Sequence, residues 1–161
     1  MKHYRQTLVI EAPPAAVYQA LATPEGIRGW WTQDCEADSA VGGNIRLRFG
    51  ATQKILRIER LDSDREVCWS CTEAHIAAAQ LARKDEWVGT RMVFRLAPEG
   101  DRRTRLDFEH VGLTSDLQCY DLCNDGWRYF MHSLSRFAET GRGTPYEPAA
   151  AHNPCAQRAC A

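Results

Sequence analysis

The chain has 161 residues, of which 44% are hydrophobic and 25% are charged, and its 20 Lys and Arg nearly balance its 21 Asp and Glu. These values are typical of one soluble globular domain, and the near-neutral charge argues against nucleic acid as a partner. The apolar runs are too short for a membrane span, which needs about 20 residues, and no apolar signal region follows the first residues, so we predict a cytoplasmic protein.

The first part of the chain is predicted to contain one strand and two short helices. Residues 4–11 are rich in β-formers and are followed by Pro13-Pro14, a pair that ends a strand and suits the first turn of a helix. That helix is predicted to extend to about Ala22. Thr23 and Pro24 then supply an N-cap and a first helical residue for the second helix.

The middle of the chain alternates between apolar and polar residues with a period of two. The alternation is clearest around residues 45–49, 56–59, 91–96 and 105–110. Because one face of each strand is polar, the pattern favours antiparallel pairing. Turn-forming residues at 61–64 and 98–101 are suited to hairpins. The alanine-rich segment 73–86 is predicted to be a short helix or loop inserted at the rim of the sheet.

A second helical pattern follows the last strand and carries one apolar stripe. Its apolar residues recur at spacings of three and four through about Glu139. Ser115 or Asp116 is a suitable N-cap, and Gly141 is a suitable residue just beyond the helix. The apolar stripe of this helix is expected to pack on the apolar face of the sheet. Residues 142–161 lack periodicity and are predicted to form a flexible tail.

The order of these elements resembles the helix-grip fold of the START-like, or SRPBCC, superfamily. Local motifs are similar to the branch named after the activator of Hsp90 ATPase homologue. These motifs are Ala12-Pro13-Pro14, Thr23–Gly26, Trp30-Trp31, Val41–Gly43, Val67 with Trp69, Trp87 with Gly89-Thr90, Phe108 with His110, Gly112-Leu113 and Gly126-Trp127. The resemblance spans about residues 5–141 and implies a START-like domain at 1–141.

The fold class implied by the resemblance is α+β, with a curved antiparallel β-sheet wrapped around a long C-terminal helix and two short helices after the first strand. Members of the superfamily form a deep hydrophobic cavity between the sheet and the long helix. They include lipid carriers, hormone receptors, aromatic cyclases and co-chaperones, and they share no catalytic residues. The resemblance therefore implies a fold and not a reaction.

An aromatic set is predicted to point largely into this interior, by strand parity and by the helical stripe. Together with one histidine it forms the predicted ligand-binding set: Trp31, Phe49, Trp69, Trp87, Phe94, Phe108, His110, Tyr120 and Trp127. Such a lining suits a small apolar or aromatic ligand. The same rings could instead fill the core, and the pattern leaves both interpretations open.

His110 shares the apolar face of its strand with Leu106 and Phe108, which predicts a position at the end of the cavity. A neutral imidazole there could orient a ligand or transfer a proton. A structural histidine that is hydrogen-bonded to the backbone is favoured, because no carboxylate is clearly placed to orient the ring. A polyketide cyclase-like or dehydratase-like enzyme would use His110, with Tyr120, for proton transfer. No catalytic triad, phosphate loop or dinucleotide motif is present, so the sequence assigns no catalytic residue.

The chain has seven cysteines, an odd number, and a chain of this length can fold without disulfide bonds. The sequence therefore favours reduced thiols over a disulfide framework. Cys68 and Cys71 have CxxC spacing, but residues three apart on a strand project from opposite faces. Cys119 and Cys123 lie at i and i+4 on the predicted helix, yet these thiols with His110 make a weak zinc site. We therefore predict neither a metal nor a cofactor.

Arginines on the outer face of the sheet are interspersed with Glu59, Asp107 and Glu109, a mixture that favours surface ion pairs over phosphate contacts. Three functions remain open. The first is a binding domain for a small hydrophobic or aromatic ligand, and the second is the cyclase-like enzyme. The third is a stress or chaperone accessory with a chaperone partner. A homodimer through an exposed sheet edge is compatible with each of them.

Overall fold

The computed structural model describes residues 2–148. Within them the elements are β1 (Tyr4–Ile10), α1 (Pro14–Ala22), α2 (Pro24–Trp30), β2 (Cys35–Ala37), β3 (Asn44–Phe49), β4 (Thr52–Asp62), β5 (Glu66–His75), β6 (Arg91–Glu99), β7 (Arg103–Val111) and α3 (Tyr120–Thr140). The predicted order of one strand, two short helices, a run of strands and a long final helix is confirmed.

The strands form one curved, seven-stranded sheet in the order β1-β7-β6-β5-β4-β3-β2, and every pairing is antiparallel. The predicted parity is confirmed as well, because Ile45, Leu47 and Phe49 of β3 are all buried. The middle of the stripe on α3, which includes Trp127 and Phe130, is also fully buried. One long helix therefore packs on one face of the sheet, which is the α+β helix-grip architecture.

The corner between α1 and α2 is held by a side-chain cap and a close backbone approach. The Thr23 hydroxyl accepts a hydrogen bond from the Gly26 amide at 3.0 Å, which confirms the predicted N-cap. A Cβ at Gly26 would lie 2.4 Å from the Gln19 carbonyl oxygen, so only glycine fits at this position. Trp30 donates its indole N–H to the Ala20 carbonyl at 2.8 Å and ties the two helices together.

The prediction that α3 starts near Ser115 or Asp116 is wrong, because the helix begins at Tyr120 with Cys119 in the N-cap position. The Glu86 carboxylate accepts hydrogen bonds from the amides of Gln118 at 3.2 Å and Cys119 at 3.1 Å. These amides are thus satisfied by a remote side chain, and the residues before them form turns instead of helix. The predicted end is confirmed, since Gly141 adopts the left-handed conformation with φ of 82°.

The inserted segment contains no helix, so the loop half of the prediction for 73–86 is confirmed. Strand β5 extends to His75, and residues 76–90, which we call the rim loop, follow as turns and irregular backbone. Lys84 donates from Nζ to the carbonyl oxygens of Ala78 and Leu81, at 2.9 Å each. These bonds satisfy backbone groups that a helix would otherwise have paired.

The first residues of the predicted tail pack against the body of the protein. Tyr146 is buried, its amide donates to the Trp31 carbonyl, and its carbonyl accepts from the Gln33 amide, at 2.9 Å in both cases. Thr144 donates its amide to the Ser133 hydroxyl at 2.7 Å. Residues 142–148 therefore extend the fold beyond the predicted boundary at 141, and the predicted tail at 149–161 lies outside the described residues.

The outer face of the sheet carries the predicted ion pairs. Arg95 lies 3.9 Å from Glu109 on the neighbouring strand, and Arg105 lies 3.2 Å from Asp107. Such exposed pairs contribute little to stability and account for the mixed charge of this face. None of the helices in the described part of the chain is both long and apolar enough to cross a membrane.

Candidate ligand-binding site

The predicted aromatic set converges between the sheet and α3. Seven of its rings are at most 2% exposed: Trp31, Phe49, Trp69, Trp87, Phe94, Phe108 and Trp127. They come from the end of α2, from four strands of the sheet or the rim loop beside it, and from the middle of α3. Strand parity and the helical stripe thus identified side chains from remote segments that meet in one place.

These rings contact one another and form a continuous cluster. Trp31 lies at its centre, with centroids 5.7 Å from Trp69, 5.3 Å from Trp127 and 6.1 Å from Phe49. Trp127 in turn stacks on Trp87 at 5.8 Å, with an interplanar angle of 12°. Phe94 and Phe108, 4.7 Å apart, complete the cluster on the sheet side. Offset and edge contacts of this kind are typical of a packed core, so a ligand would enter by separating rings that now touch.

His110 lies at the edge of the cluster and has both ring nitrogens hydrogen-bonded. The Trp127 indole N–H donates to Nδ1 at 3.0 Å, while Nε2 lies 2.8 Å from the Thr90 hydroxyl. The Thr90 hydroxyl donates to the Trp87 carbonyl at 2.6 Å, so it accepts from Nε2. The imidazole is therefore the neutral tautomer with its proton on Nε2.

Burial, with a smaller contribution from Lys54, lowers the pKa of His110 to about 3. A ring that is neutral and engaged at both nitrogens has no free lone pair with which to take a proton from a ligand. The geometry supports the structural role for His110, although its partners are side chains and not the backbone.

Tyr120 lies apart from the other members of the predicted set. It is half-buried at the start of α3 and lines an open cleft of about 530 Å³ on the side of the molecule. The other residues of this cleft are Lys2, His3, Tyr4, Arg5 and Asn124. The structure thus brings His110 next to Trp87 and Trp127 but leaves Tyr120 at a separate surface.

Lys54 belongs to the site, and the sequence analysis missed it. Its side chain is 1% exposed, and Nζ lies 3.7 Å from the centroid of the Trp87 ring and 5.2 Å from that of Phe49. Burial is the main reason that its pKa falls from 10.5 to about 7. The signal was parity, because Lys54 shares the inward face of β4 with Leu56 and Ile58.

Trp69 contributes a second polar group to the interior. Its indole nitrogen is buried and has no hydrogen-bond partner among residues 2–148. A buried donor without a partner costs about 1–3 kcal/mol, so an acceptor brought next to it would recover that free energy.

The cysteines near the site do not assemble into a metal-binding cluster. Cys123 is disulfide-bonded, so the expectation of reduced thiols is wrong for this residue, and its Sγ accepts a hydrogen bond from the Trp87 indole N–H at 3.2 Å. Cys71 and Cys119 are free, and burial raises the pKa of each thiol to about 11. Across residues 2–148, no group of three or more His, Cys, Asp or Glu side chains is arranged to hold a metal ion.

Comparison with known proteins identifies the family. The model of the activator of Hsp90 ATPase homolog 1-like proteins matches residues 11–139. The chain belongs to this family. The match covers both short helices, the sheet from β2 to β7 and nearly all of α3, and therefore every residue of the aromatic cluster. A comparison with curated proteins found no match.

Solved structures of Aha1-like and related proteins share the architecture. The solution structure of the Aha1 dimer from Colwellia psychrerythraea is 28% identical, with a TM-score of 0.72 over 89% of this chain and 100% of that one. CalU16 from Micromonospora echinospora is 24% identical, with a TM-score of 0.60 over 87% of this chain and 74% of the other. DynU16, from the dynemicin biosynthetic locus, is 17% identical, with a TM-score of 0.62 over 86% of this chain and 48% of the other. The two last likenesses show the fold alone.

Proposed function

We propose that this member of the activator of Hsp90 ATPase homolog 1-like family binds a small hydrophobic or aromatic molecule between its sheet and α3. The observation that carries the proposal is the buried indole N–H of Trp69, which has no partner in the described part of the chain. A core that served packing alone would favour an apolar ring at this position, because an unmade hydrogen bond destabilises the fold. A ligand acceptor would satisfy this group.

The rim loop supplies a route by which the rings could separate. The loop carries Trp87, and it is joined to the start of α3 by polar contacts at the surface. Gln118 Oε1 accepts from the amides of Ala82 and Arg83 at 3.0 and 3.1 Å, and Glu86 accepts from the amides that precede α3. The bonds of the loop that lie at the surface exchange readily with water, so the buried contacts of Trp87 and Thr90 set the cost of moving the loop outward.

The test is a titration followed through the indole N–H signals of the five tryptophans in a ¹⁵N-labelled sample. Each signal is assigned with a Trp→Phe variant, and 2-naphthamide serves as the probe. Binding in the interior shifts the signals of Trp31, Trp69, Trp87 and Trp127, and it moves that of Trp69 downfield as an acceptor reaches it. Shifts confined to amides near Tyr120 would assign the ligand to the surface cleft and overturn the proposal.

The cyclase-like enzyme has less support from the site. Both ring nitrogens of His110 are hydrogen-bonded, so the neutral imidazole has no free nitrogen that could accept a proton. Tyr120 lies at the surface cleft, so the two residues do not act on one substrate in this conformation. A chaperone partner and a cytoplasmic location stay predictions. The homodimer also stays a prediction, although the Colwellia relative is described as a dimer, and light scattering on the purified protein would test it.

A further inference from the structure

The surface cleft between β1 and α3 is a second candidate binding site, separate from the interior. Its volume of about 530 Å³ lies within the range of about 300–1,000 Å³ that is usual for small-molecule sites. Tyr120 and Asn124 of α3 form one side of the cleft, and the four residues from Lys2 to Arg5, at the start of β1, form the other. Binding in this cleft would be independent of binding in the interior.

The β1 side of the cleft is fixed by hydrogen bonds to the chain that follows β7. The Tyr4 amide donates to the Leu113 carbonyl, and the Gly112 amide donates to His3 Nδ1, at 2.9 Å in both cases. Because Nδ1 accepts this bond, the neutral ring of His3 carries its proton on Nε2, where it is available as a donor. The backbone and the imidazole on this side are therefore held in place before a ligand arrives.

The α3 side of the cleft presents two side chains from successive turns of the helix. Tyr120 and Asn124 are four residues apart, so they lie on the same face of α3. Asp121 and Asp125 each follow one of them by one position, about 100° further around the helix, and neither lines the cleft. This face of α3 therefore brings a phenol and an amide to the cleft, and it brings no carboxylate.

The polar groups of the cleft are mainly cations and hydrogen-bond donors. Arg5 is already paired with Glu109 at 3.2 Å, so its charge is compensated. Four other groups have no partner among residues 2–148: the Lys2 ammonium, His3 Nε2, the Tyr120 hydroxyl and the Asn124 amide. Arg128, one turn beyond Asn124, adds a positive charge that acts on the Tyr4 hydroxyl. Such a set is suited to an anion with several oxygens.

We propose that the surface cleft binds an organic molecule that carries a phosphate group on an aromatic ring. The phosphate would accept hydrogen bonds from Lys2, His3 and Asn124, and the aromatic part would pack against the half-buried ring of Tyr120. Phosphate suits these donors better than carboxylate does, because it offers three terminal oxygens and up to two negative charges. The apolar interior would exclude such a group, so the two sites would take ligands of different chemistry.

The experiment is a titration of ¹⁵N-labelled protein with phenyl phosphate, phenol and inorganic phosphate at pH 7.5, where the phosphate group is largely a dianion. Phenol has the ring without the anion, and inorganic phosphate has the anion without the ring. We expect phenyl phosphate to bind with a Kd below about 1 mM, about tenfold more tightly than phenol and about threefold more tightly than inorganic phosphate. The amide signals that shift should be those of residues 2–5, Gly112 and residues 120–124.

Variants assign the binding to the cleft. Lys2→Met removes the unpaired charge, and Asn124→Ala removes an amide donor from the other side. Each should raise the Kd of phenyl phosphate about threefold or more, which is the effect expected for a contact that is partly exposed to water. Arg136→Met removes an exposed cation three turns further along α3, so it is the matched control and should leave the Kd unchanged.

Several outcomes would overturn the proposal. Equal affinity for phenol and phenyl phosphate would show that the anion is not recognised, and equal affinity for inorganic phosphate would show that the ring of Tyr120 takes no part. Shifts confined to the outer face of the sheet, around Arg95 and Arg105, would place the anion elsewhere. The positions of the shifts in wild type decide the matter if a variant does not fold. The titration with 2-naphthamide reports on the interior indoles, so either proposal can fail without the other.

Discussion

Trp127 donates its indole N–H to His110 Nδ1 across 3.0 Å, and this bond joins the middle of α3 to strand β7. His110 passes the connection on through Thr90 to the Trp87 carbonyl, so helix, sheet and rim loop are linked by one chain of hydrogen bonds. All of these groups are buried, which makes each bond costly to break. His110 therefore links α3, β7 and the rim loop at the place where a ligand would have to enter.

Replacing His110 should therefore destabilise the protein. His110→Ala leaves the Trp127 N–H and the Thr90 hydroxyl with a lost partner and creates a cavity, so we expect the free energy of unfolding to fall by about 2–4 kcal/mol. Urea denaturation measures the change. His132→Ala, at an exposed position on α3, is the control and should change stability by less than about 0.5 kcal/mol. An equally small change in the free energy of unfolding for His110→Ala would contradict the role of His110 in linking these elements.

Trp127 is expected to be the largest single contributor to the attachment of α3. It is fully buried and contacts Trp31, Trp87 and Phe108. Trp127→Ala should lower the free energy of unfolding by about 3–5 kcal/mol, whereas Arg128→Ala, at the next and exposed position, should have little effect. Chemical denaturation with a helix-sensitive signal checks both, and a loss below about 1 kcal/mol for Trp127→Ala would be inconsistent with this packing.

Most of the fold was predictable because its signals are local. Strand parity depends on neighbouring residues, and the cap at Thr23 depends on a residue three positions away. The start of α3 was not predictable in this way, because the acceptor that satisfies its first amides is Glu86, more than 30 residues earlier. Residues 142–148 were misjudged for the same reason, since their partners Trp31 and Gln33 are remote in sequence.

The sequence predicted most of the residues of the site but not how their side chains pack. Strand parity placed the ring of Trp69 in the interior, and the helical stripe placed that of Trp127. Whether rings line a space or stack on each other depends on distances between elements. Lys54 was missed because the alternation of this strand was followed only from residue 56, although Lys54 has the same parity as Leu56. The lack of a partner for the Trp69 N–H is a property of three-dimensional packing that no pattern reveals.

The acid side of the stability profile should carry a signature of His110. Its pKa is about 3 in the folded protein and about 6.5 when unfolded, so between these values the unfolded chain binds a proton that the folded protein excludes. Stability is thus present above pH 6.5 and is lost as the pH falls towards 3. Relative to His110→Gln, wild type should lose stability between pH 6.5 and 4 in thermal unfolding. Parallel profiles for the two proteins would show that His110 does not exclude the proton.

Lys54 should lower the stability of the folded protein, whereas an apolar residue at this buried position should raise it. Its pKa is about 7 in the folded protein and 10.5 otherwise, so at pH 7 to 9 the unfolded chain holds more protons and folding releases one. Wild type should therefore gain stability as the pH rises from 7 to 9, and Lys54→Met, which has no proton to release, should be more stable than wild type by about 1–3 kcal/mol at pH 7.

This difference should shrink towards pH 9, which is below the range in which the buried thiols titrate, because the pKa of Cys71 and of Cys119 is about 11. Differential scanning fluorimetry of the two proteins across this range measures the gap, with Lys2→Met as the control for loss of a lysine at the surface. A variant that is less stable than wild type at pH 7 would mean that Lys54 stabilises the core.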